Sequence, residues 1–217
     1  MENGLIASFI EPTVRRSDGR TRTHSSEQAV LQMVSDTICN TAVVSESYNV
    51  VLTGFMGTGK STVGRLVAQR LGYQFTDTDS VIEERHGPIP EIFAAHGEGA
   101  FREIECGLAV ELAKSTGLVI STGGRMMIDA VNAEVLGRTG RVFCLTASVD
   151  TILARVAPAG AVTNRPMLAG PDVRQRITAL LAERVEAYAK FEQIDTDDRS
   201  PGAVADQILG RLGSHLR

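Results

Sequence analysis

Residues 54–61 read Gly-Phe-Met-Gly-Thr-Gly-Lys-Ser and lie between the short β-branched run Asn49–Thr53 and a helical stretch, Lys60–Leu71. This is the Walker A pattern, and it stands after a strand and at the start of a helix, as its chemistry requires. In that setting, consecutive backbone N–H groups and the positive end of the helix surround a chain of phosphates. The stretch therefore predicts a phosphate-binding loop that opens an α/β domain.

The side chains of this loop predict how it binds a nucleotide. We expect Lys60 to reach the β and γ phosphates, and the Ser61 hydroxyl to ligate Mg²⁺. The glycines let the backbone approach the phosphates closely. The residues predicted to bind the nucleotide in this loop are Gly57, Thr58, Gly59, Lys60, Ser61 and Thr62.

From Tyr48 onwards, predicted strands and helices alternate along the chain. This alternation favours a parallel sheet with helices on both faces. The predicted strands are Asn49–Thr53, Tyr73–Thr76, Leu118–Ser121, Arg141–Leu145 and Phe191–Ile194. The predicted helices include Lys60–Leu71, Val81–Arg85, Glu98–Lys114, Met127–Leu136, Val149–Val156, Asp172–Lys190 and Pro201–Leu212.

The first 47 residues differ from this domain, which we place at residues 48–217. They carry an Arg/Ser/Thr-rich stretch without sustained periodicity, which predicts a largely flexible extension. Only residues 27–39 show a helix-like apolar pattern. A dispensable tail and a partner-binding arm remain the two interpretations of this segment.

The composition of the chain restricts the class of partner that the protein is expected to bind. The formal net charge of −4 gives no electrostatic reason to expect nucleic acid or an acidic membrane surface. No apolar run approaches the roughly 20 residues that span a bilayer, and the N-terminus lacks the order of a signal peptide. Three widely spaced cysteines favour a reduced, cytoplasmic protein over a disulfide or zinc framework.

Two carboxylates, Asp77 and Asp79, follow the second predicted strand. The carboxyl ends of parallel strands open into the ligand crevice. Strand alternation would turn both carboxylates to one side, where one could serve the metal and the other a substrate hydroxyl. A pair of solvated turn aspartates is the alternative interpretation.

Two further groups point to an acceptor site. Arg102 and Glu105 are three residues apart and so are neighbours on one helix face. They form either a surface pair of little consequence or an arginine whose fork is oriented by Glu105 toward a carboxylate. Residues 121–124, Ser-Thr-Gly-Gly, follow a buried strand. Their glycines would allow a ligand to lie against the backbone, and an ordinary strand-to-helix turn is the alternative interpretation.

Taken in order, these motifs resemble those of the shikimate kinases, a family of small-molecule kinases similar to nucleoside-monophosphate kinases. The resemblance covers about Asn49–Leu212. Its motifs are the phosphate loop, Phe-x-Asp-x-Asp at Phe75–Asp79, Gly-Glu-x-x-Phe-Arg-x-x-Glu at Gly97–Glu105, the glycine turn, and Arg-Pro-x-Leu at Arg165–Leu168.

The resemblance implies both a fold and a reaction. The fold is a P-loop NTPase-type α/β three-layer sandwich, in which a five-stranded parallel sheet lies between helices under a mobile lid. The reaction transfers the γ-phosphoryl group of ATP, with Mg²⁺, to the 3-hydroxyl of shikimate in aromatic amino acid biosynthesis. It also implies a monomeric enzyme whose partner is a small carboxylate-bearing acceptor.

Residue roles follow from the same resemblance. Lys60, Asp79 and Arg165 are the implied catalytic residues, with Asp79 on the acceptor hydroxyl and Arg165 on the phosphates when the lid closes. Asp77 and Ser61 are implied at the metal. The residues implied to bind the acceptor are Asp79, Arg102, Gly123, Gly124 and Arg184, and those flanking the adenine are Arg199 and Pro201.

The chain departs from the family pattern at two places. Arg125 stands where the third glycine of the turn is usual, and a side chain there could require a backbone conformation disfavoured for non-glycine residues. Arg125 could point to solvent, add a cation for a different acceptor, or obstruct the pocket. The lid segment 157–164 carries no charge, and Arg155 could compensate from its start.

Three functions remain open from the sequence. The first is phosphorylation of shikimate, and the second is phosphorylation of another small hydroxy acid or cyclitol, which Arg125 motivates. The third is a nucleotide-binding regulator without turnover. Retention of the acceptor residues argues against this third function, because a regulator does not need them.

Overall fold

The computed structural model describes residues 48–156 and 172–213. The N-terminal extension, its helix-like segment 27–39, the lid segment 157–164 and Arg165 lie outside these residues. Within them the strands are β1 (Asn49–Gly54), β2 (Gln74–Asp77), β3 (Leu118–Ser121), β4 (Gly140–Thr146) and β5 (Glu192–Asp195).

The helices of the described residues alternate with these strands. They are α1 (Lys60–Leu71), α2 (Thr78–His86), α3 (Ile89–Leu112), α4 (Ala130–Thr139), α5 (Val149–Val156), α6 (Val173–Tyr188) and α7 (Pro201–Gly213), with a 3₁₀ turn at Met126–Ile128. None of them has the length and apolar character needed to cross a membrane.

The five strands form one parallel sheet in the order β2-β3-β1-β4-β5. Strand β1 is central, and all six of its residues are buried. Burial on both faces agrees with its apolar run Val50–Leu52, which is typical of strands in parallel sheets. The predicted α/β architecture with a five-stranded parallel sheet is confirmed.

Successive residues of β1 point into different layers. Val50 and Leu52 pack with apolar residues of α1 and α7, whereas Val51 packs with those of α2, α3 and α4. A third cluster joins α5 and α6 around Phe55 and Cys144. The sheet thus lies between two helical layers, and the phosphate loop leaves it at the centre of its carboxyl edge.

Several helix boundaries differ from the sequence-based expectation, including the start of α2, which lies at Thr78 rather than near Val81. Helix α3 begins at Ile89 rather than at Glu98, and it bends at Gly97, whose φ of 78° and ψ of 175° are non-helical. The second part of α3 therefore starts near Glu98, as predicted, but a preceding helical stretch was missed. The single predicted helix Met127–Leu136 is instead a 3₁₀ turn followed by α4, which Asp129 caps through two backbone N–H groups.

Candidate functional site

The phosphate loop connects β1 to α1 through backbone conformations that favour glycine. Gly57 and Gly59 have φ values of 78° and 92°, in the left-handed region. Lys60 reaches back over the loop, and its Nζ donates to the carbonyl oxygens of Gly54 and Phe55, at 2.9 Å each. The ammonium group is therefore held across the loop that is predicted to surround the phosphates.

Hydroxyl and carboxylate oxygens meet at the start of α1. The Ser61 hydroxyl donates to Asp77 Oδ2 at 2.7 Å and lies 3.3 Å from the hydroxyl of Ser121. In the described part of the chain no three His, Cys, Asp or Glu side chains form a metal cluster. Mg²⁺ does not need one, because it usually takes one or two protein oxygens together with water and phosphate. The pairing of Ser61 with Asp77 fits that pattern.

Asp79 does not lie on a strand, so the argument from strand alternation was wrong for this residue. Strand β2 ends at Asp77, which caps α2 by accepting from the N–H of Ser80, and Asp79 lies in the first turn of that helix. The buried Thr78 accepts a hydrogen bond from the N–H of Gly123 at 2.9 Å. This bond fixes the start of α2 against the glycine turn.

Gly123 allows two carboxylates to approach the turn closely. A Cβ atom at this position would lie 2.5 Å from Asp79 Oδ1 and 3.2 Å from Glu105 Oε1. Because such a short separation from Asp79 is not tolerated, only glycine leaves this carboxylate where it is. The structure thus brings Asp79, Gly123 and the end of the Arg102–Glu105 pair together.

Arg102 is held by carboxylates on two sides. Its Nη1 donates to Glu105, and its Nε and Nη2 donate to Glu98 Oε1 at 3.3 and 3.1 Å. The Glu105 side chain is only 2% exposed, so the pair is not a surface pair. Of the two interpretations of the sequence, the oriented arginine is the one that this geometry supports.

The pKa of Glu105 is raised to about 7. Burial is the main cause, because it disfavours the charged form. The charge and hydrogen bond of Arg102 act in the opposite direction, and the nearby charge of Asp79 raises the pKa further. Glu105 thus titrates near neutral pH, where its charge state depends on Arg102.

Arg184 approaches the glycine turn from the other side. It is buried, its guanidinium carbon lies 5.2 Å from the centre of the Phe55 ring, and its Nη1 would be 3.4 Å from a Cβ at Gly124. Tyr188, one turn further along α6, donates its hydroxyl to the carbonyl oxygen of Gly124 at 2.5 Å. Burial raises the pKa of Tyr188, and Arg184 opposes that rise.

The predicted acceptor residues therefore meet around one turn. Asp79 and the Glu105 carboxylate lie on one side of Gly123 and Gly124, and Arg184 lies on the other side. Sequence reasoning missed Glu98, Thr78 and Tyr188 as contributors to this arrangement. The spacing of four between Arg184 and Tyr188 was a usable signal, since such residues share one helix face.

Arg125 adopts an ordinary backbone conformation, so the expectation of a disfavoured one was wrong. Its φ of −111° and ψ of −11° lie in the right-handed helical region, which suits any residue. Its half-exposed side chain forms an ion pair with Glu98. Arg125 thus neither extends freely into solvent nor contorts the turn.

Arg199 and Pro201, which are predicted to flank the adenine, and Arg155, which is predicted to compensate for the uncharged lid, lie within the described residues. Arg155 donates to the carbonyl oxygen of Gly57 and to Thr196, so it joins the phosphate loop to the segment after β5. Arg199 donates to Gln207 within the α7 region. Pro201, at the start of α7, lines an open groove together with residues of α1, which include Ser61 and Thr62.

Comparison with known proteins identifies the family. A family model described as shikimate kinase matches residues 56–213. The shikimate kinase of Geobacter sulfurreducens is 43% identical over 176 residues, which are 80% of this chain and 96% of that protein. That of Moorella thermoacetica is 44% identical over 170 residues, 77% of this chain and 96% of that protein.

Solved structures agree with these sequence relatives. A shikimate kinase from Acinetobacter baumannii in complex with shikimate superimposes with a TM-score of 0.73 at 35% identity, over 78% of this chain and 95% of that one. The family match covers more than half of the chain, and the fold and motif order agree with it. The chain belongs to the shikimate kinase family.

Proposed function

We propose that this protein transfers the γ-phosphoryl group of ATP to the 3-hydroxyl of shikimate, giving ADP and shikimate 3-phosphate. The observation that carries the proposal is the approach of Arg184, the Arg102–Glu105 pair and Asp79 to one glycine turn near the phosphate loop. The buried Arg184 and the oriented Arg102 can together bind one organic anion, and the carboxylate of Asp79 beside them can accept a hydrogen bond from a hydroxyl group. Membership of the family supports the same reaction.

In this proposal the acceptor is bound by its carboxylate. Arg102 and Arg184 come from different helices, α3 and α6, so a planar carboxylate between them is fixed in position and in orientation. The backbone at Gly123 and Gly124 presents no side chain and lets the ring lie against it. Such positioning supplies much of the rate enhancement in phosphoryl transfer.

Asp79 would then accept the proton of the attacking hydroxyl. As the new bond from the acceptor oxygen to the γ-phosphorus forms, the bond from that phosphorus to the β,γ-bridging oxygen breaks and ADP leaves. Lys60 neutralises the negative charge that develops on the phosphates. Arg165 is proposed to assist in this neutralisation when the lid closes.

The Ser61 hydroxyl and the Asp77 carboxylate, which contact each other, would hold Mg²⁺. When bound, the metal neutralises charge on the β and γ phosphates. The loop residues Gly57, Thr58, Gly59 and Thr62 are proposed to surround the phosphates, and Arg199 and Pro201 to flank the adenine. Low net charge and scattered cysteines support a cytoplasmic enzyme, and we propose that it acts as a monomer.

A coupled ADP-release assay tests this function. The purified protein is supplied with ATP and Mg²⁺ and, separately, with shikimate, quinate and several cyclitols. We expect saturable ADP release with shikimate and little with the cyclitols, which lack the carboxylate. Turnover of another acceptor without turnover of shikimate would replace the proposed function.

A further inference from the structure

One carboxylate oxygen, Oε1 of Glu98, is shared by two arginines. Arg102 donates to it from Nε at 3.3 Å and from Nη2 at 3.1 Å, and Arg125 Nη1 lies 3.1 Å from the same atom. Arg102 and Glu98 are on one helix, whereas Arg125 follows the glycine turn. The shared oxygen thus links Arg102, the arginine proposed to bind the acceptor, to Arg125, which has no role in the proposed function.

Glu98 occupies the edge of Arg102 that an acceptor would need. Arginine binds a carboxylate bidentately through two parallel N–H groups, and the Nε–Nη2 pair is such an edge. The Nη1 group of Arg102 already contacts Glu105, whose buried side chain has little freedom to leave. Glu98 is the partner that can leave, because its side chain is 52% exposed.

We propose that Glu98 holds the carboxylate-binding edge of Arg102 until the acceptor arrives, and that Arg125 then receives the displaced Glu98. This inference rests on the proposed function in one respect, namely that the acceptor carboxylate binds Arg102. It assigns Arg125 as a positioning residue that acts through Glu98 and makes no contact with the acceptor.

The position of Arg125 suits this role. Its side chain is 46% exposed and already forms an ion pair with Glu98. This ion pair can therefore persist when Glu98 releases its hydrogen bonds from Arg102. Without Arg125, a displaced Glu98 would keep its negative charge beside the incoming carboxylate. Like charges at short range repel, and the displaced carboxylate would compete for Arg102. Arg125 lowers the cost of the exchange by keeping the charge of Glu98 paired.

A double-mutant cycle separates this role from direct binding. The Michaelis constant for the acceptor is measured for the wild type, Arg125→Gln, Glu98→Gln and the double variant. We expect Arg125→Gln alone to raise the acceptor KM about fivefold, the effect of losing an exposed charge pair. Glu98→Gln should lower the acceptor KM, and adding Arg125→Gln to Glu98→Gln should change it no further.

Three controls accompany the cycle. Arg125→Lys keeps the charge and should restore most of the acceptor KM. Arg138→Gln removes an equally exposed arginine from its pair with Glu134 on α4 and should leave the acceptor KM unchanged. The KM for ATP and the thermal midpoint of every variant should match the wild type, which excludes a general loss of structure.

Several results would overturn the inference. If Arg125→Gln raised the acceptor KM equally in the wild type and in Glu98→Gln, this would show that Arg125 contacts the acceptor directly. No rise in either background would show that Arg125 has no such role, and a higher KM in Glu98→Gln would show that Glu98 assists binding. The cycle is measured with whichever carboxylate-bearing acceptor the wild type phosphorylates. If the wild type phosphorylates another such acceptor but not shikimate, this result contradicts the proposed function and leaves the exchange of Glu98 testable. Turnover of no carboxylate acceptor would overturn both.

Discussion

Arg102 donates a hydrogen bond to Glu105, which lies three residues further along α3 and is almost completely buried. The pair lies beside Gly123, so the arginine that is proposed to bind the acceptor is oriented by an acid with almost no access to water. Burial raises the pKa of this acid to about 7, in spite of the opposing effect of Arg102. The site thus contains a group whose charge changes near neutral pH.

The first prediction concerns stability and pH. A carboxyl whose folded pKa is raised binds its proton more tightly in the folded state, so its stabilising contribution is complete below the unfolded pKa near 4.5 and is lost as pH rises toward 7. Compared with Glu105→Gln, the wild type should therefore lose roughly 2 kcal/mol of unfolding free energy between pH 5 and pH 8.

Urea unfolding of both proteins at several pH values measures this difference. The Gln variant provides the control, because it keeps the shape of the side chain and cannot titrate. An unchanged difference between the wild type and Glu105→Gln over this range would mean that Arg102 keeps the pKa of Glu105 at or below its usual value.

The second prediction concerns the acceptor arginine. Arg102→Ala should raise the acceptor KM by roughly 10- to 100-fold, the effect of losing charged hydrogen bonds. The KM for ATP should change little, since Arg102 contacts Glu98 and Glu105 and not the phosphate loop. Steady-state kinetics with each substrate varied in turn measures both constants. An equal loss for the two substrates would show that Arg102 has been assigned to the wrong site.

The third prediction tests the glycine turn. In Gly123→Ala the new Cβ would meet Asp79 Oδ1 at 2.5 Å, so the carboxylate must move away from the position where it is proposed to contact the acceptor hydroxyl. We expect kcat to fall by roughly 10- to 100-fold, because small misplacements of reacting groups are costly. The thermal midpoint should change little, since the end of one side chain can shift.

Gly137→Ala is the matched control for this substitution. Gly137 lies in α4, and a Cβ there would meet no atom within 4 Å. Alanine should leave kcat unchanged and favour the helix slightly. A wild-type kcat in Gly123→Ala would remove Asp79 from the proposed chemistry at this turn.

The fourth prediction concerns Mg²⁺. Ser61→Ala removes the hydroxyl that contacts Asp77, and we expect the Mg²⁺ concentration for half-maximal rate to rise by about tenfold or more. Ser80→Ala is the control, because Ser80 contacts Asp77 through its backbone N–H, which alanine keeps. An unchanged metal requirement in Ser61→Ala would show that the hydroxyl does not ligate the metal.

Local sequence was sufficient for much of the fold. The bounds of α1 and β3 agree with the structure at both ends, and α5 starts at Val149 as predicted, because each has a clear apolar pattern. Helix α1, for example, ends at Leu71 and is capped by Gly72, which takes the left-handed conformation and donates its N–H to the carbonyl oxygen of Ala68. Such signals lie within a few residues of the boundary that they set.

The site was less accessible to sequence reasoning. Asp79 was expected at the strand end, but Asp77 caps a helix that starts at Thr78, and local spacing did not distinguish these outcomes. The sharing of Glu98 by Arg102 and Arg125 joins residues that are far apart in sequence. It depends on how the glycine turn packs against α3, which no local pattern contains.

A crystal structure of the protein with shikimate and ADP would show where the acceptor carboxylate binds. We expect the shikimate carboxylate to contact the guanidinium groups of both Arg102 and Arg184, and a ring hydroxyl to lie within hydrogen-bond distance of Asp79. Shikimate bound with its carboxylate away from both arginines would show that the proposed acceptor site is wrong.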